Sequence, residues 1–137
     1  MPVLQLRIAP PPDAATRAEL ASMLTELTRQ HLRKRAEVTA VLVDVYATGT
    51  WFIGGRAPQA PTALLEIDIT EGTNTEAEKA AFVAAANDAL RDRLATAAGF
   101  EAASYVVVRE LPAGNWGYGG CTQRERQQAR DATFASP

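Results

Sequence analysis

One structural unit occurs twice in this sequence, and the duplication restricts the fold more than any other feature. The stretch GTWFIGG at residues 49–55 returns as GNWGYGG at residues 114–120, where four of the seven positions are identical. Earlier in each half, LQLRI at residues 4–8 resembles LEIDI at residues 65–69. Because a sequence repeat marks a supersecondary unit that packs against its own copy, we expect two similar halves around one core.

The residue pattern predicts the same elements in each half: a strand, a helix, a second strand and a hairpin. Leu4, Leu6 and Ile8 alternate with polar residues, which is typical of a strand with one buried face. An apolar stripe at helical spacing follows, formed by Leu20, Met23, Leu24 and Leu27. The end of this helix is basic, where the helix dipole favours cations: Arg29, Arg33, Lys34 and Arg35. Each helix has two candidate N-cap residues. They are Asp13 or Thr16 in the first half and Thr73 or Thr75 in the second.

These elements predict an α/β (α+β) fold. A helical crossover makes the two strands of each unit parallel, so two tandem βαβ units predict a four-stranded mixed sheet with two helices on one face and short Gly-Gly hairpins. We expect one domain over residues 1–137, with pseudo-repeats at residues 2–56 and 62–121. Residues 122–137 are polar without a sustained apolar period, and they predict a short helical turn and a loose C-terminal tail.

Composition excludes several classes of function. The net charge of −2 provides no basic field for a phosphate backbone, so nucleic acid is not an expected partner. No apolar run approaches the roughly 20 residues of a membrane span, and the N-terminus lacks a signal-peptide pattern. A single cysteine, Cys121, is typical of a reducing compartment and predicts a cytoplasmic protein. Without a cysteine–histidine cluster or a phosphate loop, no metal or organic cofactor is implied.

The order of these motifs resembles the tautomerase superfamily, which includes 4-oxalocrotonate tautomerase, macrophage migration inhibitory factor and cis-3-chloroacrylic acid dehalogenase. A βαβ unit opens with Met-Pro, and its last strand runs into G-x-[aromatic]-x-x-G-G; the resemblance extends from Pro2 to about Gly120. It implies a homotrimer in which the glycine hairpins pair with the sheet of an adjacent subunit. The large aromatic residues of these hairpins, which have little sequence around them to bury their rings, also indicate a neighbouring subunit.

The resemblance implies that Pro2 is the catalytic residue. In this family the initiator methionine is removed, and the freed proline nitrogen becomes a secondary amine that can bind a proton. An exposed α-amino group has a pKa of about 8, and apolar neighbours or a nearby cation lower it. Such a base suits proton transfer next to a carbonyl group. The matching position of the second unit is Ala63, an internal residue, so we expect one active site per chain.

Several arginines that the family uses to hold carboxylates are missing here. The positions that match family arginines hold Pro12, Ala40, Thr70, Thr73 and Tyr105. The catalytic glutamate of the dehalogenase group matches Tyr118. Without a guanidinium fork the bidentate grip on a planar carboxylate is lost. The sequence also shows no evident carboxylate that would activate water for dehalogenation.

Other residues are candidates for the missing donors. Arg56 and Arg109 are the cations nearest to the motifs, although Arg109 also fits a polar sheet face with Arg7, Glu66 and Asp68. Tyr105 and Tyr118 fit either a hydroxyl donor to a developing enolate or an interface position. Trp51 and Trp116 fit either a wall of the pocket or interface packing. The only histidine, His31, and the only cysteine fit structural roles.

The sequence therefore predicts an isomerase: a keto–enol tautomerase in which Pro2 is the general acid and base for an unsaturated or aromatic 2-keto acid. The predicted substrate-binding residues are Trp51, Tyr105, Arg109, Trp116 and Tyr118. Two alternatives remain open. One is a lyase or hydrolase that uses the same proline, such as a decarboxylase, dehalogenase or hydratase; the other is a non-catalytic oligomeric binding protein.

Overall fold

A computed structural model describes residues 2–135 of the chain. Its elements are β1 (Val3–Ala9), α1 (Ala14–Leu32), a 3₁₀ turn (Ala36–Val38), β2 (Ala40–Val45), β3 (Thr62–Thr70), α2 (Glu76–Leu94), β4 (Tyr105–Leu111), β5 (Gly117–Tyr118), β6 (Cys121–Thr122) and α3 (Gln123–Ala135). Met1 and residues 136–137 of the predicted tail lie outside the described residues. None of the helices within residues 2–135 is long and apolar enough to cross a membrane.

The predicted four-stranded mixed sheet is confirmed, with the strand order β2-β1-β3-β4. β1 pairs with β2 in parallel, β3 pairs with β4 in parallel, and β1 and β3 are antiparallel at the centre. Gln5 of β1 lies opposite Glu66 of β3, and these two residues occupy the same position in the LQLRI and LEIDI repeats. An approximate twofold axis therefore passes through this pair and relates the two units.

Both long helices cover the same face of the sheet. Alternate residues of the two central strands point to this face and are completely buried, among them Leu4, Leu6, Leu65 and Ile67. Against them pack the apolar stripes of α1 and α2, which include Leu20, Leu24, Phe82 and Leu90. The predicted period of two in the strands is thus the alternation between this core and an open face. Charged side chains occupy the open face, where Arg7 and Glu66 form an ion pair at 3.4 Å.

The structure selects one of the two possible caps at each helix start. The N–H of Thr16 donates to Oδ1 of Asp13 at 2.7 Å, so Asp13 caps α1. Thr75 caps α2 in a reciprocal capping box, in which the N–H of Glu78 donates to Oγ1 of Thr75 and the N–H of Thr75 donates to Oε1 of Glu78. The loop before α2 also contacts the end of α1, since Nδ2 of Asn74 donates to the carbonyl oxygen of Leu32 at 3.0 Å.

The two Gly-Gly pairs have the same backbone conformation. Gly54 and Gly55 have φ values of 60° and 76°, and Gly119 and Gly120 have values of 61° and 81°. Two successive positive φ angles are the requirement of a tight two-residue hairpin turn, and glycine meets it without steric cost. The second pair joins β5 to β6, whereas the first joins only an isolated bridge between Ile53 and Arg56.

The prediction of a short turn and a loose tail was wrong, because α3 is a helix of 13 residues. A second capping box begins it: the N–H of Thr122 donates to Oε2 of Glu125 at 2.7 Å, and the N–H of Glu125 donates to Oγ1 of Thr122 at 3.0 Å. Apolar periodicity did not reveal this helix, since its residues are mostly polar and exposed.

Replacing Thr75 by alanine removes the cap of α2, and we expect the free energy of unfolding to fall by about 1 kcal/mol. Chemical denaturation at fixed protein concentration measures the change. Thr25→Ala is the matched control, because the hydroxyl of Thr25 bonds only to the Ala21 carbonyl within α1 and alanine is the better helix former. Equal destabilisation by both substitutions would contradict the assigned cap.

Candidate active site

Pro2 lies between two strands at one end of the sheet. It directly precedes β1, and its carbonyl oxygen accepts the N–H of Ala40 at 3.2 Å. The next residue, Val3, pairs with Ala40 on one side and with Asp68 on the other. Pro2 shares the alternation of Leu4, which places it on the core face, and it is buried. Pro2 therefore lies at the start of a central strand of the sheet, between β2 and β3.

A cavity of about 280 Å³ opens at the same end of the sheet. Val38 and Thr70 line it. Val3 pairs with Ala40 and Asp68; Val38 lies two residues before Ala40, and Thr70 lies two residues after Asp68. Its other walls come from the end of α1, the second hairpin and α3. The cavity therefore lies at the end of the sheet where Pro2 precedes β1, although Pro2 is not one of its lining residues.

The lining of this cavity is positively charged. Four of the lining residues are cations, and none is an aspartate or glutamate: Arg33, Lys34, Arg35 and Arg130. Two of the three guanidinium groups are neutralised by neighbours outside the cavity, since Arg33 lies 2.9 Å from Glu78 and Arg35 lies 2.8 Å from Glu37. Lys34 and Arg130 have no ion pair within residues 2–135, so they carry most of the uncompensated charge.

Lys34 is the most constrained of these cations. Its Nζ donates to Oγ1 of Thr73 at 2.8 Å. Burial, and next the charge of Arg33, lower the pKa of Lys34 below its ordinary value of 10.5. A lysine that is partly desolvated beside other cations gains from a bound anion, because an anion restores the lost hydration and opposes the repulsion. The charge of this corner of the cavity is therefore favourable to an anion.

The threonines at two of the missing arginine positions belong to the same corner. Thr70 and Thr73 both line the cavity, and Oγ1 of Thr73 donates to the carbonyl oxygen of Thr70 at 2.6 Å. The resemblance implied arginines at these positions in the dehalogenase group. In this chain Lys34, which follows α1, donates to the hydroxyl of Thr73 at this corner. Lys34 was visible in the sequence as part of the basic run at the end of α1. The helix dipole was sufficient to explain that run, so Lys34 was not assigned to a site.

Trp116 and Tyr118 of the second hairpin both lie at this end of the sheet. Nε1 of Trp116 donates to Oγ1 of Thr70 at 3.2 Å, so the indole anchors the hairpin to the end of β3. Tyr118 lines the cavity itself, and the guanidinium carbon of Arg126 lies 3.7 Å from the centre of its ring. Of the predicted binding residues, these two lie near Pro2.

Trp51 and Tyr105 lie at the opposite end of the sheet within one chain. Tyr105 pairs with Leu64 near the start of β3, whereas Pro2 is beside the end of that strand. Together with Phe52, both rings line a separate shallow depression, and Tyr105 is 63% exposed. The ring of Trp51 contacts Tyr46 edge-on, with 5.7 Å between centroids. One chain therefore does not bring these residues to Pro2.

Arg109 belongs to the polar open face. Its Nε donates to Oδ1 of Asp68 at 2.7 Å, and its Nη1 lies 3.8 Å from Oε2 of Glu66. It is level with Val3 but two strands away, and it does not line the cavity. These contacts match the second of the two interpretations that the sequence left open. Arg56 is an exposed residue of the first hairpin, at the other end of the molecule.

Comparisons with known proteins agree with this architecture. A family model described as tautomerase enzyme matches residues 64–125, from β3 to the start of α3. No curated protein matches the chain. A solved structure of native fused 4-OT is 25% identical, with a TM-score of 0.74 over 90% of this chain and 97% of that one.

Two further solved structures share the fold at lower identity. A member of the cis-3-chloroacrylic acid dehalogenase family is 22% identical, with a TM-score of 0.77 over 98% of this chain and 92% of that one. Pt0534 inactivated by 2-oxo-3-pentynoate is 18% identical, with a TM-score of 0.79 over 90% of this chain and 98% of that one. The match to the tautomerase family model lies in the second βαβ unit, and the chain shares its duplicated βαβ fold with these solved structures.

Proposed function

We propose that this protein is a keto–enol tautomerase, an isomerase in which Pro2 transfers a proton on an unsaturated or aromatic 2-keto acid. The observation that carries the proposal is the position of Pro2, which is buried at a strand start, at the end of the sheet where a cavity lined by cations opens. Removal of Met1 would convert the nitrogen of Pro2 from an amide to a secondary amine. Burial and the nearby positive charge both favour the neutral form of that amine, which is the form that accepts a proton.

The surrounding residues fit a substrate that carries a carboxylate beside a carbonyl group. Lys34 and Arg130 supply positive charge for the carboxylate, and proton abstraction from the adjacent carbon would move negative charge onto the carbonyl oxygen. The hydroxyl of Tyr118 is a donor in the same cavity for that charge. The inactivator of the structurally similar Pt0534, 2-oxo-3-pentynoate, is itself a 2-oxo acid. This similarity of chemical class supports the proposal.

We also propose that the chain forms a homotrimer. Solved structures of fused 4-OT are described as symmetric and asymmetric trimers. In this chain the open face of the sheet carries apolar side chains among its ion pairs: Leu42 is 49% exposed and Tyr105 is 63% exposed. Association through this face and the hairpins would bury them. It would also allow Trp51 of one subunit to approach the site of another.

The dehalogenase alternative has less support in the cavity. Activating a water molecule requires a general base, and no aspartate or glutamate lines the cavity beside Pro2 within the described chain. Tyr118 stands where the resemblance placed the catalytic glutamate. The non-catalytic alternative predicts anion binding without turnover, and the following substitution separates it from the enzyme.

Pro2→Ala should lower kcat/KM for ketonisation of phenylenolpyruvate by about 10²- to 10⁴-fold, the usual contribution of a general acid or base. The loss of enol absorbance measures the rate, and 2-hydroxymuconate serves as a second substrate. Pro11→Ala is the matched control, since Pro11 is exposed at the opposite end of β1. Intact mass must show that Met1 is absent from the active protein. An active protein that retains Met1, or full activity in Pro2→Ala, would disprove the mechanism.

Lys34 should make anion binding depend on pH in the alkaline range. A protonated Lys34 attracts a carboxylate, so affinity is complete below the pKa of Lys34 and falls as the pH rises through it. Because that pKa is lowered, the fall begins below the 10.5 of an ordinary lysine. Lys34→Met should weaken phenylpyruvate binding roughly 10- to 100-fold at neutral pH, as expected for a hydrogen bond to a charged group.

Calorimetric titration with phenylpyruvate across pH measures this dependence. Lys34→Arg should retain affinity to higher pH, because a guanidinium group stays charged. Lys79→Met is the control: Lys79 pairs with Glu110 at 2.6 Å, and it does not line the cavity. A pH profile that is the same in Lys34→Met and the wild type would exclude Lys34 from the site.

A further inference from the structure

The helix α3 occurs once, although the rest of the fold occurs twice. After the first hairpin the chain enters β3, and after the second hairpin it forms α3. Gln123, Gln127 and Arg130 follow one another along one side of this helix, and all three line the cavity beside Pro2. One wall of the cavity therefore comes from an element with no counterpart in the first unit.

The opposite end of the sheet has a cavity of its own, to which no helix equivalent to α3 contributes. A cavity of about 230 Å³ lies there, between the end of β1, the first hairpin and the segment before β3. Its lining is mostly small or apolar and includes Pro10, Trp51, Pro58 and Pro61, with no charged residue. The two ends are related by the approximate twofold axis, so the polar lining supplied by α3 is specific to the end that holds Pro2.

Gln123 is the most unusual residue of this wall. It is only 5% exposed, and its side-chain Nε2 is buried without a hydrogen-bond partner among the described residues. Buried polar groups in native proteins are nearly always paired, because an unpaired donor has lost its water without replacement. Since Gln123 lines the cavity, a ligand oxygen in that cavity could accept the hydrogen bond that Nε2 of Gln123 does not make within the described chain.

The backbone around Gln123 is fixed by three connections to the second hairpin and the end of β3. The N–H of Gln123 donates to the carbonyl oxygen of Trp116 at 2.9 Å, and the N–H of Arg124 donates to that of Ala113 at 2.9 Å. The indole of Trp116 in turn donates to Thr70. The backbone at Gln123 is thus held to the second hairpin, which is in turn held to Thr70 at the end of β3.

We infer that Gln123 is a catalytic residue that donates its amide N–H to the 2-oxo oxygen of the substrate, an inference that rests on the proposed function. Pro2 removes a proton from the carbon next to the carbonyl. The electrons of that C–H bond form the C=C bond of the enolate, and the carbonyl π electrons move to the oxygen that Gln123 holds. Return of the proton from Pro2 to this oxygen completes the enol, so no other reactant is needed.

The chemistry of an amide matches the oxo group better than the carboxylate. A neutral donor adds no charge, so it contributes little to holding an anion that Lys34 and Arg130 already attract. It contributes most when it faces an oxygen on which negative charge develops during the reaction. Gln123 should therefore distinguish 2-oxo acids from carboxylates that lack the oxo group, while Lys34 should affect both.

The test compares two ligands on the Pro2→Ala background, where binding is measured without turnover. Phenylpyruvate and 3-phenylpropanoate differ in the 2-oxo group, and calorimetry gives both affinities. Gln123→Met keeps the volume and removes the donor; we expect phenylpyruvate to bind roughly tenfold more weakly and 3-phenylpropanoate to change less than twofold. Gln123→Glu places a carboxylate against the oxo oxygen and should weaken phenylpyruvate binding at least as much.

Gln128→Met is the matched control, since Gln128 is on the same helix and is exposed. In the Pro2-containing enzyme, Gln123→Met should lower kcat for ketonisation of phenylenolpyruvate about 100-fold, a larger loss than the roughly tenfold loss of phenylpyruvate affinity, because the donor contributes most when charge develops on the oxygen. Equal losses for both ligands, or no loss in either variant, would overturn the role of Gln123. Failure of phenylpyruvate to bind to the parent would also overturn it. Failure of the proposed function appears separately, as full turnover in Pro2→Ala.

Discussion

The antiparallel pairing of β1 and β3 is the constraint on which the rest of the molecule depends. It joins the two units along their first strands, and it places the start of each strand beside the end of the other. Pro2 therefore lies at the end of β3, where the second hairpin and the loop before α2 also arrive. Neither unit alone would form the cavity, because its walls come from the end of α1 in one unit and from the hairpin of the other.

Because the unit is duplicated, the two ends of this strand pair have equivalent backbone positions. Their side chains differ, so the two ends are chemically different. One end has a strand that starts at Val3, directly after Pro2, a set of cations and α3; the other has Ala63 within a continuous chain and an apolar lining. Only the first end has a strand start that trimming of one residue would convert to a free amine. The family match lies in the second unit, which supplies the hairpin and the end of β3 to that site.

The alternating strands and the helix stripes were enough to predict the sheet and the placement of both helices, because burial of one face decides both. The residues of the candidate site were harder to predict from the sequence. The basic run at Lys34 had a sufficient explanation in the helix dipole, and only the folded chain shows that this side chain meets Thr73. Arg109 fitted two roles, and the sheet register, which no local pattern specifies, placed it beside Asp68. Helix α3 is polar, so its order comes from a capping box and from contacts with the hairpin, which periodicity does not detect.

The charge of the cavity at the Pro2 end differs from the net charge of the chain. The chain as a whole is acidic, yet no acidic residue of the described chain lines this cavity. A lysine provides a point charge, whereas the arginines of the family pattern provide a planar fork that fixes two carboxylate oxygens at once. A site built from Lys34 and a neutral amide therefore orients its ligand less through the carboxylate and more through a second oxygen. Under the proposed function, the residues at the positions where the resemblance implied arginines would change the substrates accepted, and the proline chemistry would be kept.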